Sequence, residues 1–202
     1  YMSLATSIIS PISLIIIRSN IISSYGIDQA GMWDAINRIS SITLVFFASP
    51  IQIYLLPKFS TILNPNLRYK KMLEFYKLII PVAFLVTFGL YILRRFIISI
   101  LFSNEFILIE SLFTSQMIGD FFKILSIMPT FLLISLSNYR RFIYSEIIFS
   151  LGYILLTFKI SSLYNSINSA TISYMFINII KFLSLIFLTK SVTSEKQIIQ
   201  KF

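Results

Sequence analysis

The side chains of this sequence that could do chemistry fall at helical spacing. Asp34 and Arg38 stand at i and i+4, and Asp120 and Lys123 at i and i+3, separations that put both members of each pair on one face of a helix. Further along, Glu146, Ser150, Tyr153 and Thr157 follow at steps of four, three and four, and Thr171, Tyr174, Asn178 and Lys181 at three, four and three. Each set makes a polar stripe down one side of a helix. Asp34, Asp120 and Glu146 supply titratable carboxylates, the arginines and lysines supply cations, and the tyrosines and asparagine supply neutral hydrogen-bonding groups. The chain has no Cys and no His, which excludes thiolate and imidazole catalysis, disulfides and the usual transition-metal ligand sets. No P-loop pattern occurs, so nucleotide hydrolysis is not expected, and no cofactor is expected.

The elements that carry these groups are apolar. Of 202 residues 56% are hydrophobic and 12% charged, against about 25% charged in soluble domains. The apolar blocks are long enough to cross a hydrocarbon core of about 30 Å, which takes roughly 20 helical residues, and they lack the alternation of a membrane β-barrel. The sequence therefore reads as an all-α membrane protein with six spans near residues 2–20, 33–56, 78–101, 115–136, 142–160 and 169–188, and with a tail over 190–202. Pro11, Pro50, Pro81 and Pro129 lie in or beside these spans. Kinks are expected there, with neighbouring helices satisfying the carbonyls that proline frees.

Loop charge orients the spans. Lys58, Arg68, Lys70, Lys71 and Lys77 come after the second span, Arg140 and Arg141 after the fourth, and Lys190, Lys196 and Lys201 after the sixth. The alternate loops "SSYGIDQAG" and "SLYNSINSA" hold no basic residue, and "SNEFILIESLF" carries Glu105 and Glu110. By the positive-inside rule the basic side is cytoplasmic, and both ends of the chain lie there. The net charge of +9 is thus a topology signal and not a nucleic-acid surface. Asn64 and Pro65 fit a helix start, and with Leu67, Met72 and Phe75 on one face the segment reads as a short helix lying on the anionic leaflet.

Ionisable groups inside spans cost about 2.5 to 3.5 kcal/mol each on insertion scales, so they face the bundle interior, a partner or water. Spacing allows local ion pairs between Asp34 and Arg38 and between Asp120 and Lys123, serving either helix register or a transport path. Glu146, near the cytoplasmic end of its span, suits an interfacial anchor as well as a path. Lys181 has no acid within reach on its own helix and points to function. Arg18 sits near the external end, where it can snorkel, as can Arg94 and Arg95 at the outer end of the third span. Ser3, Ser7 and Ser10 give the first span a small-residue face for close helix contact.

The segment "GIDQAGMWDAINRIS", a span ending in "YLLPKFS", then "SQMIGDFFKI" and "SEIIFSLGYILL" together resemble the Wzx-type lipid-linked oligosaccharide flippases, the O-antigen and enterobacterial common antigen translocases. These belong to the multidrug/oligosaccharidyl-lipid/polysaccharide exporter superfamily. Matching positions are Gly26, Ala30, Gly31, Trp33, Ala35, Arg38, Ile39, Ser40, Leu56, Pro57, Ser60, Gly119, Asp120 and Lys123. Asp34 stands where the family more usually has Gln, so a carboxylate beside Arg38 puts anion binding by that arginine in doubt. The resemblance spans nearly the whole chain and corresponds to the C-terminal six-helix lobe of a twelve-helix transporter.

The resemblance implies alternating access in the bacterial inner membrane, carrying an undecaprenyl-pyrophosphate-linked glycan from the cytoplasmic to the periplasmic leaflet. On that view Arg18, Arg38, Lys123 and Lys181 bind phosphate, Tyr153, Tyr174 and Asn178 meet sugars, and Asp34, Asp120 and Glu146 couple to an ion gradient. The expected partners are membrane lipid, an N-terminal six-helix half, a polysaccharide polymerase and a chain-length regulator, with no nucleic acid. A drug or solute exporter of the same superfamily and a membrane glycan polymerase are the alternatives; a polymerase would carry a substantial periplasmic loop with reactive residues.

Overall fold

The structure is a computed structural model that describes residues 2–102, 106 and 109–199, with the side chains of 2–7, 139 and 196–199 excepted. The side chains of Ser3, Ser7 and Lys196, and all of Glu105 and Lys201, therefore lie outside the described residues. The described chain is helical: α1 Met2–Tyr25, α2 Ile27–Thr61, α3 Pro65–Ile92, α4 Arg94–Leu101, α5 Glu110–Ser135, α6 Tyr139–Tyr164 and α7 Asn168–Ile199. All but α4 contain a stretch long and apolar enough to cross a membrane, six in total among the described residues, as the hydrophobic blocks predict.

The turns explain the boundaries. Gly26 alone joins α1 to α2, with φ at 90°, a conformation that a Cβ disfavours. At the other end of α2, Asn64 caps α3 by accepting from the backbone of Asn66 at 2.9 Å and Leu67 at 3.3 Å, with Pro65 in the first turn. The helix start expected at Asn64 is thus present. The segment it opens is not a separate surface helix, however: residues 65–77 run without a break into the third span as one 28-residue helix. Met72 and Tyr76, buried in this early part of α3, belong to the same face by which the helix packs on α5. The break comes instead at Leu93, so the expected span 78–101 is two helices, α3 and the short α4. Residues 190–199, expected as a tail, extend α7.

Helix α5 is the hub, packed on α2, α3 and α7 and touching α6, while α1 joins through α2 and α6. One apolar core lies at the basic end, around Phe47, Phe59, Met72, Leu125 and Leu132. A second lies at the opposite end, around Ile36, Ile98, Ile109 and Phe113. Between α1, α2, α6 and α7, Ile17, Ile21, Trp33, Tyr153 and Tyr174 form a third. Outward faces carry exposed Ile42, Phe46, Ile53, Leu85, Phe88, Leu155 and Phe187, the surface a lipid-facing bundle requires.

Helical structure continues through Pro11, Pro50, Pro57, Pro81 and Pro129. Pro129 has no N–H for the carbonyl of Leu125 four residues earlier. Tyr76 on α3 donates its hydroxyl to that carbonyl at 2.8 Å, so a neighbouring helix completes the bonding that proline removes.

Candidate functional site

The seam between α5 and α7 sets the site. A Cβ on Gly119 would sit 2.7 Å from Cε1 of Tyr174 and closer still to its Cδ1, so only glycine lets this ring lie flat against α5. Gly152 on α6 does the same for Ile177, whose Cδ1 would be 2.9 Å from an added Cβ. The close approach at Gly119 brings the Tyr174 hydroxyl to Oδ1 of Asp120, to which it donates at 2.8 Å. Asp120 is fully buried, with the Ser40 hydroxyl of α2 as a second neighbour of its carboxylate. Lys123, one turn along, holds its ammonium 5.1 Å from the centroid of the Tyr174 ring, within cation–π range. Tyr153 on α6 meets the same ring edge-on at 5.8 Å.

One to two turns further toward the basic end, Lys181 on α7 donates to Glu146 on α6 at 2.6 Å, and both side chains are less than one-fifth exposed. Lys181 lies 13 residues from the start of α7, about 20 Å at 1.5 Å per residue, hence well inside a bilayer. These groups open onto a cleft of about 110 Å³ between α1, α5, α6 and α7, lined by Lys123, Glu146, Lys181, Tyr153, Tyr174 and Asn178 with Ser10, Ser13 and Ser150. Two ammonium groups, one carboxylate and a set of hydroxyl and amide groups inside an apolar bundle can hold an anionic, hydroxyl-rich group. Asp120 beneath them offers an oxygen to a proton or cation. No cluster of three metal-ligating side chains exists among the described residues.

The chain is similar to a lipid flippase. It is 29% identical over 146 residues to the "Lipid III flippase" of Escherichia coli (strain K12), a match covering 72% of this chain and 35% of the relative. The "Lipid III flippase" of Shigella flexneri matches to the same extent. The aligned part thus spans about a third of the length of these curated relatives. No family model and no solved structure matches.

The expected residues divide into groups. Lys123, Lys181, Glu146, Tyr153, Tyr174 and Asn178 line one cleft, and Asp120 lies behind it. Arg18, Asp34 and Arg38 line none of it. Two expected pairings are corrected. Asp34 binds Arg18 at 2.7 Å, not Arg38, because the one-residue turn at Gly26 folds α1 and α2 back so that positions 18 and 34, each eight residues from it, reach the same depth. Arg38 is exposed. Asp120 and Lys123 form no ion pair, since the carboxylate faces Tyr174 and the ammonium lies over the ring. Glu146 and Lys181 are each other's partner across two helices, so the acid that Lys181 lacks on its own helix is supplied by α6. Arg94 and Arg95 do not simply snorkel; both bind Glu110, at 2.8 and 3.0 Å.

Other contacts carry weaker signals in sequence. Gln116 on α5 donates to Ser40 on α2 at 2.8 Å, one turn from Asp120, and the Tyr25 and Ser161 hydroxyls meet at 2.5 Å across α1 and α6. Arg68 bonds the carbonyls of Ile62 and Ser135 and so ties the α2–α3 turn to the end of α5. Gln116 stands at i−4 from Asp120, the one pattern that would have marked this polar face as larger than a pair.

Proposed function

We propose that this chain forms one lobe of a flippase for a lipid-linked saccharide. The observation that carries the reading is the cleft in which Lys123 and Lys181 stand among tyrosine, asparagine and serine at mid-depth of an apolar bundle. A lipid-facing helix has no use for such groups, whereas a path for a phosphate and its glycan requires them. Similarity to the lipid III flippases supports the same reading.

In this proposal the cargo is a surface-polysaccharide repeat unit of the O-antigen or enterobacterial common antigen type, on undecaprenyl pyrophosphate. It passes from the cytoplasmic to the periplasmic leaflet of a bacterial inner membrane as two lobes alternate between inward-open and outward-open forms. Both ends of this chain face the cytoplasm. A second six-helix half completes the path, and a polysaccharide polymerase and chain-length regulator take up the product. Lys123 and Lys181 bind the phosphates; Tyr153, Tyr174 and Asn178 meet the sugar. Coupling to a proton or sodium gradient runs through Asp120, a carboxylate buried behind the cleft.

The test locates the lipid-linked saccharide by leaflet in cells that depend on the protein. Lys123→Met and Lys181→Met are expected to insert normally and to leave the saccharide on the cytoplasmic side. Normal outward delivery in both variants overturns the reading.

A further inference from the structure

The cytoplasmic half of the α6–α7 seam carries a second feature that the polar cleft does not use. An open groove of about 610 Å³ lies there, lined by Tyr144, Ile148 and Phe149 on α6 and by Leu183, Phe187 and Leu188 on α7, with Arg141 at one end. Its size falls in the range of ligand sites. The lining residues keep to helical stripes, Arg141, Tyr144 and Ile148 at three and four and Leu183 and Phe187 at four, and Lys190 continues the second stripe three residues beyond the lining. Each helix therefore ends its apolar stripe with a cation at the basic edge of the bundle. Arg141 binds Glu195 at 2.8 Å, but both are well exposed, and an exposed pair of this kind yields readily to a competing anion. Lys190 is exposed.

The groove has the dimensions of one leaflet. From Arg141 to Phe149 is eight residues, about 12 Å of helix, against roughly 15 Å for half of a hydrocarbon core. At its inner end stands Phe149, which also lines the polar cleft. The two sites are thus neighbours, one apolar with cations at the membrane edge, the other polar at mid-depth.

We propose that this groove is a loading site for a lipid phosphate taken from the leaflet at the Arg141 end, with the phosphate between Arg141 and Lys190 and the tail lying along Ile148, Leu183 and Phe187 as far as Phe149. The cations at the mouth select this occupant over a zwitterionic lipid. The inference rests on the flippase reading only for what the lipid carries. Loading here leaves the head at the basic edge, about 12 Å of helix from the cleft that would receive it.

The experiment photolabels the protein, at its native length in phosphatidylcholine nanodiscs, with a polyprenyl phosphate bearing a diazirine at the end of its tail. Label is expected on the peptides holding Ile148–Phe149 and Leu183–Leu188. Arg141→Gln and Lys190→Gln each lower it about five-fold, the effect of one basic residue near an anionic headgroup. Ser184→Trp, a substitution at an exposed lining position, fills the groove and abolishes the label without touching the core. Equal labelling by a phosphatidylcholine carrying the same diazirine, label absent from these peptides, or capture of a protein segment by a photo-crosslinker at Ile148 each overturns the proposal. Because the readout is binding, groove labelling in a protein that moves no saccharide leaves this site standing and removes only the flippase reading. Transport without groove labelling does the reverse.

Discussion

Breaking the Glu146–Lys181 pair separates a structural role from a functional one. At 2.6 Å and an effective dielectric near 20, Coulomb attraction between the two charges is about 6 kcal/mol. Desolvation of both groups, each less than one-fifth exposed, offsets most of it, so the intact pair adds little net stability. Removing one member is different, because the other is left charged between helices, at a cost of about 3 to 5 kcal/mol. Glu146→Gln and Lys181→Met are each expected to lose that much in reversible unfolding from detergent micelles, while the double variant recovers all but about 1 kcal/mol. The cycle then exhibits a coupling of several kcal/mol, far above the roughly 0.5 kcal/mol at which independent sites count as additive. Leaflet-resolved saccharide delivery is measured on the same three proteins. A double variant that is stable but inactive assigns the charges to transport, and one that regains both assigns them to packing. Additive destabilisation in the double variant would refute the reasoning, since it would mean the two side chains do not hold one another in the membrane.

Three further outcomes rest on individual contacts. Gly119→Ala forces the Tyr174 ring away from α5 and with it the hydroxyl from Asp120, costing about 1 to 3 kcal/mol; unfolding and Tyr174 fluorescence quenching in a tyrosine-reduced background report it. Tyr76→Phe leaves the Leu125 carbonyl unmet beside Pro129 and is expected to cost about 1 kcal/mol, whereas in a Pro129→Ala background the same change costs almost nothing, a difference read by equilibrium unfolding. Arg18→Gln and Asp34→Asn remove a partly exposed pair and are each expected to shift stability by about 1 kcal/mol or less, checked by the same unfolding assay.

The number of spans, their all-helical character and the cap at Asn64 were legible because each depends on local composition. So was the polar face of α7, since Tyr174, Asn178 and Lys181 share a stripe in sequence and share the cleft in space. What spacing could not supply was depth. A stripe fixes the angle at which a side chain leaves its helix but not which residue of the next helix lies at the same height. Asp34 therefore read as the partner of Arg38, four residues away, although the turn at Gly26 delivers it to Arg18. Glu146 and Lys181, 35 residues apart, had no local pattern to join them. The span at 78–101 failed for a related reason: hydropathy carries through Leu93, where the backbone does not.

The same geometry bears on how the cleft could open. Helix α7 spends its polar stripe on two different neighbours, Tyr174 on Asp120 of α5 and Lys181 on Glu146 of α6. The first contact is fully buried and lies where Gly119 admits the ring, within the most extensive helix interface of the bundle. The second is partly exposed and borders the cleft itself, so water in the cleft can reach both charges as they part. Separation of α6 from α7 thus has a lower cost than separation of α5 from α7, since the pair it breaks is already open to the cleft while the α5 contact must be pulled from a closed interface.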